Sequence, residues 1–172
     1  MVKYALLFLV VFNFRVYPQD KKPDGFLDIK WRSSKKVVEN YMNKREGVSV
    51  IKNSKDEIIF SGGEFGGYKV SDWVFEFYNN KFCAVTINFV TLKNHKILYN
   101  YIFDKLMEKY FPPKESFGKN GINTDWSFYD GDNLVYLIRM ITSAPDISLM
   151  YFDVELTLEK RVEEKKKSNK DF

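Results

Sequence analysis

The chain has 172 residues, enough for one domain with its own core, and its 45% hydrophobic and 29% charged residues exclude a disordered or fibrous protein. Its net charge is +4, and its longest basic run, Lys165-Lys166-Lys167, is offset by Glu159, Glu163 and Glu164, so it lacks the concentrated basic footprint of a nucleic-acid binder. The single cysteine, Cys83, excludes an internal disulfide, and the single histidine, His95, excludes any mechanism that needs two imidazoles from one chain.

Met1-Val2-Lys3 is a short positive start, followed by an apolar run over 4–14 and then Arg15 and Tyr17-Pro18. This is the anatomy of a secretory signal, and the run is too short to span a bilayer. The reading is a signal peptide over 1–18, a polar linker over 19–25, a folded domain over 26–156 and a charged tail over 157–172. Val16-Tyr17-Pro18 lacks the small residues that signal peptidases prefer, so removal of the segment is left open. Export places the domain in the periplasm or outside the cell. Membrane contact is then limited to a retained N-terminal segment.

Ser33 and Ser34 carry hydroxyls able to cap a helix, and Val37, Val38, Tyr41 and Met42 follow at helical spacing, with Gly47 as the stop. Short strands are predicted over 48–52 and 57–60. Gly62-Gly63 and Gly66-Gly67 mark a bulge or loop. The clearest strands run over 70–78 and 82–90, joined by Asn79-Asn80, a pair that accepts the positive φ of a tight hairpin. Alternation puts Trp73, Phe75 and Phe77 on one face, and Cys83, Val85, Ile87 and Phe89 on one face of the return strand. Glu76, Tyr78, Thr86 and Asn88 then fall on the opposite, solvated face.

Asn94 is a candidate cap for a second helix ending near 110, with Leu98, Ile102 and Leu106 as its stripe and Pro112-Pro113 as its stop. Strands are predicted over 123–129, 134–141 and 147–156, with turns at Asp130-Gly131 and Ala144-Pro145-Asp146. Residues from 159 onward are charged, and either a frayed helix or a disordered tail fits them.

Ser71-Asp72-Trp73-Val74-Phe75 is echoed by Thr124-Asp125-Trp126-Ser127-Phe128. With the helix-then-strands order, this suggests an α+β fold of two tandem repeats, 26–92 and 93–156. Two helices would pack on one face of an antiparallel sheet.

The stretch Ile29-Lys30-Trp31-Arg32-Ser33-Ser34-Lys35-Lys36-Val37 resembles the opening of a group of uncharacterised exported bacterial proteins, in which a Trp precedes a Ser-Ser/Thr-Lys helix cap. Phe65-Gly66-Gly67-Tyr68-Lys69-Val70, Phe77-Tyr78-Asn79-Asn80-Lys81-Phe82 and the helix ending in Lys-Tyr-Phe-Pro share in the resemblance. The group's usual Gly after the Trp is Arg32 here. The helix-then-sheet repeat is similar in architecture to the β-lactamase inhibitor proteins and to small lipoproteins that assist outer-membrane protein assembly. The resemblance brings no catalytic residues with it.

Chemical constellations are sparse. Cys83 and His95 suggest a thiol nucleophile, but a cysteine between apolar neighbours is better read as an inert core thiol. Asp130, Asp132 and Asn133 offer oxygens to a hard cation, yet an Asp-Gly turn explains them and the calcium-loop pattern is absent. The glycine pairs form neither phosphate-binding motif. Glu64 and Asp72 are a candidate acid–base pair with unfixed separation, better read as solvated charge. Trp31, Trp73 and Trp126 are read as core rather than as a sugar platform. Lys165-Lys166-Lys167 is read as a solvated tail rather than a lipid contact. No motif asks for a cofactor or a metal.

The expected function is therefore non-enzymatic: a binding or interaction module whose partner is another protein. The expected contact residues are Glu76, Tyr78, Thr86 and Asn88 in the first half, and Tyr129 and Arg139 in the second. Tyr and Arg are enriched where proteins touch. The alternatives are an Asp/Glu-dependent hydrolase of envelope material and a glycan- or lipid-binding protein.

Overall fold

The computed structural model describes residues 23–90, 95–110, 113–118, 121–130, 133–143 and 146–168. The signal segment 1–18, the Asn94 cap, Pro112, the Gly131-Asp132 and Ala144-Pro145 portions of two predicted turns, and the end of the charged tail lie outside the described residues.

The fold opens with a two-strand hairpin, β1 (Gly25–Phe26) and β2 (Ile29–Lys30), followed by α1 (Lys35–Met42). Next come β3 (Val48–Ser54), β4 (Glu57–Gly62), β5 (Glu64–Phe65), β6 (Tyr68–Tyr78) and β7 (Lys81–Phe89). Helix α2 (His95–Lys109) precedes β8 (Lys114–Gly118), β9 (Gly121–Asp130), β10 (Asn133–Ser143) and β11 (Asp146–Asp153), and α3 (Val154–Ser168) ends the described chain. One antiparallel sheet of nine strands runs β3-β4-β6-β7-β11-β10-β9-β8, with β5 attached to β6.

On one face of the sheet, here the inner face, Trp73, Phe75, Phe77, Trp126, Ile138, Met140 and Leu149 are buried. They form one cluster with Val38 and Met42 of α1 and with Leu98, Ile102 and Leu106 of α2. The predicted stripe of α2 is thus its buried face. Phe26, from the opening hairpin, seats its ring 5.1 Å from Tyr151 and 6.2 Å from both Trp73 and Phe75. Trp31 closes this layer by donating Nε1–H to the Pro23 carbonyl at 2.7 Å. Part of the stretch read as a linker therefore packs with the domain.

The two-repeat, one-face architecture expected from the sequence is overturned. Among the described residues the fold is one large antiparallel sheet, the small opening hairpin and three helices, and the third helix lies on the opposite, outer face. There Leu156 of α3 packs with Cys83 and Ala84 of β7 in a second, separate apolar cluster. Thr157 donates its hydroxyl to the Cys83 carbonyl at 3.2 Å, and Lys160 Nζ reaches Glu76 Oε2 at 2.7 Å. The reason for the misreading is local. Val154, Leu156 and Leu158 alternate and so extend the apparent strand to 156, whereas the face α3 buries is Leu156, Thr157 and Lys160, two of them polar. The echo at Trp73 and Trp126 records two fully buried, inward-facing indoles.

The assignment of Cys83 to the face of Val85 and Ile87 is also corrected. Phe77 pairs with Phe82 but Glu76 with Ala84, so Cys83 is the extra residue of a β-bulge. One extra residue reverses the side-chain alternation on one side of it. Phe82 therefore joins the main core, and Cys83 turns toward α3.

The predicted hairpin at Asn79-Asn80 is present, with φ of 48° and 63°. The cap of α1 differs from expectation. Ser34 makes no side-chain cap bond, and Asn80 Oδ1 accepts from the Lys35 N–H at 3.3 Å instead. Gly62 has a φ of 78°, and a Cβ there would lie 2.4 Å from the Gly47 carbonyl oxygen, so this close approach of two backbones requires glycine.

Candidate functional site

The six residues expected at a contact surface all belong to the outer face, in cross-strand rows. Val74, Thr86, Met150, Arg139 and Asp125 are successive partners across β6, β7, β11, β10 and β9. Asp72, Asn88 and Ser148 are partners in the next row. Glu76, Ala84, Phe152 and Leu137 form the row on the other side, and α3 lies over it. Tyr129 stands opposite Leu134 near the β9–β10 turn and is 53% exposed.

The rows differ in how fully their polar groups are occupied. Asn88 donates Nδ2–H to Asp72 Oδ1 at 2.7 Å and accepts from the Ser148 hydroxyl at 2.6 Å. Arg139 makes a bidentate pair with Asp125, both contacts at 2.8 Å, which raises the guanidinium pKa above its ordinary value. Glu76 is tied to Lys160, whose ammonium is held charged against a burial that opposes it. The Tyr78 phenol is pushed up chiefly by its hydrogen bond to Glu163 of α3, then by burial. The structure thus divides the six. Glu76 and Tyr78 anchor α3, Thr86 and Asn88 lie on the open part of the sheet, and Arg139 and Tyr129 border the far flank of α3.

That flank is a groove of about 120 Å³ between α3 and β10, lined by Leu134, Leu137, Arg139, Phe152, Leu158 and Arg161. Leu158 is 56% exposed at its rim. Among the described residues, Arg161 has no ion-pair partner. The groove therefore pairs an apolar floor with a neutralised arginine on the sheet and an unneutralised one on the helix. Leu134, Leu137, Phe152, Leu158 and Arg161 were not anticipated. Leu134 and Leu137 are three residues apart and share the outer face only because of a bulge between Leu134 and Tyr136, so alternation carries a signal for Leu137 with Arg139 but not for Leu134, and the helix that makes a groove of them was read as strand and tail.

Other candidates are placed as follows. Cys83 is fully buried, and desolvation, the largest influence, pushes its thiol up to about 12. His95 begins α2, and its Nε2 is buried without a hydrogen-bond partner among the described residues. Asp72 is tied to Asn88 and Ser71 on the outer face, whereas Glu64 lines a separate open depression with Glu46, Arg45 and Lys69. The structure does not bring Glu64 and Asp72 together. Trp73 and Trp126 are fully buried and Trp31 nearly so. Asp132 lies outside the described residues, and among those described no group of three or more His, Cys, Asp or Glu is placed to hold a metal ion. No helix of the described residues is long and apolar enough to cross a membrane.

Comparison with protein-family models, with curated proteins and with solved structures finds no match to this chain.

Proposed function

We propose that the chain is an exported, non-enzymatic module that holds a partner protein in the outer-face groove between α3 and β10. The observation that carries this reading is the pairing of exposed Leu158 with Arg161, which has no ion-pair partner among the described residues, at the rim of an apolar groove whose lining includes Leu134, the cross-strand partner of Tyr129. Protein interfaces place an apolar anchor in a pocket and surround it with polar groups, with Tyr and Arg over-represented. The groove has that composition. A complementary partner segment carries one apolar side chain for the floor and an acidic residue for Arg161. Export rests on the positive start and apolar run of residues 1–18.

The test is capture followed by dissection. The C-terminally tagged full chain is expressed in its own host, lightly crosslinked, and the co-purifying protein is identified and purified. The reading expects that protein to bind wild type, to lose at least about tenfold in affinity for Arg161→Glu and Leu158→Asp, and to bind Lys109→Gln normally. Capture that survives both groove substitutions overturns the reading, as does the absence of any enriched protein.

A further inference from the structure

We propose a second binding site on the opposite face of the sheet: a cleft between α2 and the β5–β6 turn that takes an amphipathic carboxylate. The cleft measures about 320 Å³, at the lower end of the roughly 300–1,000 Å³ typical of small-molecule sites. Its apolar walls come from Phe65, Ile102, Leu106 and Leu149, each also part of the main core or packed on it. Lys105 and Lys109 stand along the same side of α2, four residues apart, so both belong to one rim.

Three observations point to the class of ligand. The first is the union of an apolar interior with a rim whose two charges are both positive. The second is how those charges are occupied. Lys105 shares its charge with Glu108 at 2.6 Å, while Lys109 has no carboxylate partner among the described residues and rests 5.2 Å from the Tyr110 ring centroid. The third is Tyr151. It lines the cleft with its ring packed on the core, and its hydroxyl has no hydrogen-bond partner among the described residues. A tyrosine hydroxyl that opens onto an apolar cleft without a protein partner is free to bond a ligand oxygen. A ligand carboxylate at the head of an apolar body can accept from that hydroxyl or pair with a rim ammonium, both of which line the same cleft.

The geometry also explains the shape of the opening. The β5–β6 turn passes over the cleft with Gly66 at a φ of 60°, and a Cβ there would come within 3.1 Å of the Tyr101 ring. Tyr101 in turn packs its ring, tilted, 4.9 Å from that of Tyr68. The turn is thereby held against α2, and the cleft is a wedge with fixed walls rather than a gap under a loose loop. A flexible, narrow apolar chain fits such a wedge better than a fused ring system. The site lies on the face that α3 does not touch, so it is independent of the outer-face groove.

The test is calorimetric titration of the full chain with decanoate, with decyltrimethylammonium as the same chain bearing the opposite charge. The site expects one decanoate per chain and no comparable binding of the cation. Lys105→Gln with Lys109→Gln should weaken decanoate about tenfold, and Tyr151→Phe a few-fold, with unchanged thermal midpoints. Both lysines are exposed, so their loss leaves the fold intact. No decanoate binding, equal binding of the cation, or undiminished binding by the double lysine variant would each overturn the proposal.

Discussion

Arg32 and Asp153, 121 residues apart, join the start of the fold to its last helix through Arg32 Nε and Asp153 Oδ2 at 2.9 Å. Arg32 has a φ of 66°, a left-handed conformation that suits glycine, and yet it carries a long side chain. The conformation aims that side chain across the end of the sheet, where it also meets Glu155 of α3 at 2.5 Å. Asp153 is almost fully buried, and its second oxygen accepts the Leu156 N–H at 3.1 Å, so the same carboxylate caps α3.

Asp153→Ala removes the helix cap and the arginine's partner together. A lost cap costs about 1 kcal/mol, and loss of a charge-assisted hydrogen bond adds about 1.5–3 kcal/mol, reduced here because Arg32 is half exposed. Urea unfolding should show a loss of about 2–3 kcal/mol, with earlier proteolysis of α3. Arg32→Gly should cost less, because relief of the left-handed backbone offsets part of the lost pairing. A larger loss for Arg32→Gly than for Asp153→Ala would show that the cap is unimportant.

Cys83 gives the protein an alkaline limit. Its thiol sits against Lys160, Glu76, Thr157 and Asp153, and burial pushes it up to about 12 from an ordinary value of 9.0. Below about pH 9 folded and unfolded chains both keep the proton, so the folded state has its full stability. Between 9 and 12 the unfolded chain releases the proton and the folded chain does not, so stability falls as pH rises. Lys160, raised by Glu76 against an opposing desolvation, adds loss in the same direction at higher pH. The urea midpoint should therefore decline from about pH 9 upward, and Cys83→Ala should flatten the first part of that decline. Thiol reagents should leave native Cys83 unmodified at neutral pH. A midpoint that is flat to pH 10.5, or that declines equally in the variant, would assign the alkaline sensitivity elsewhere.

Gly62→Ala tests the meeting of β4 with the turn after α1. The substitution forces a side chain into a left-handed backbone and drives its Cβ to 2.4 Å from the Gly47 carbonyl oxygen, which is backbone and cannot swing aside. The expected cost exceeds about 2 kcal/mol. Gly67→Ala shares the left-handed φ but meets nothing within 4 Å, so it should cost only the conformational part, about 1 kcal/mol. Equal losses in thermal melts would mean that the backbone contact contributes nothing.

These relationships separate what local sequence carries from what it does not. The β6–β7 hairpin was legible because two asparagines with positive φ join the strands and Trp73, Phe75 and Phe77 keep one apolar face along β6. The stripe of α2 was legible for the same reason. Legibility failed where a contact is long-range or one residue breaks a period. The bulge at Cys83 reverses a face and leaves no mark in composition. The cover over Glu76 comes from Lys160, 84 residues later, on a helix whose buried side is mostly polar. Alternation placed the candidate contact residues on one face of the sheet, but nothing local to them shows which part of that face a helix occupies.

Tyr78 and Tyr129 make the sharpest comparison, since both are outward-facing tyrosines on hairpin ends. Tyr78 lines one depression with Glu163 of α3, which pushes its phenol up and is in turn paired with Lys167 at 2.6 Å, so it lies against the second half of α3. Its ring also packs on the Cys83–Leu156 cluster. Tyr129 lies beyond α3 and is more than half exposed. Tyr78→Ala should therefore loosen α3, seen as lower helical ellipticity and faster hydrogen exchange over residues 160–168, and any loss of partner binding would follow from the displaced helix. Tyr129→Ala should leave both readouts unchanged while weakening the partner about tenfold, as expected of an aromatic at an interface. Arg139→Ala is a poorer probe, because it strands Asp125, which is largely buried beneath the bidentate pair. If Tyr129→Ala binds the partner as wild type does and Tyr78→Phe, which keeps the ring on α3 but loses the hydroxyl, does not, the contact surface belongs to the other flank of α3.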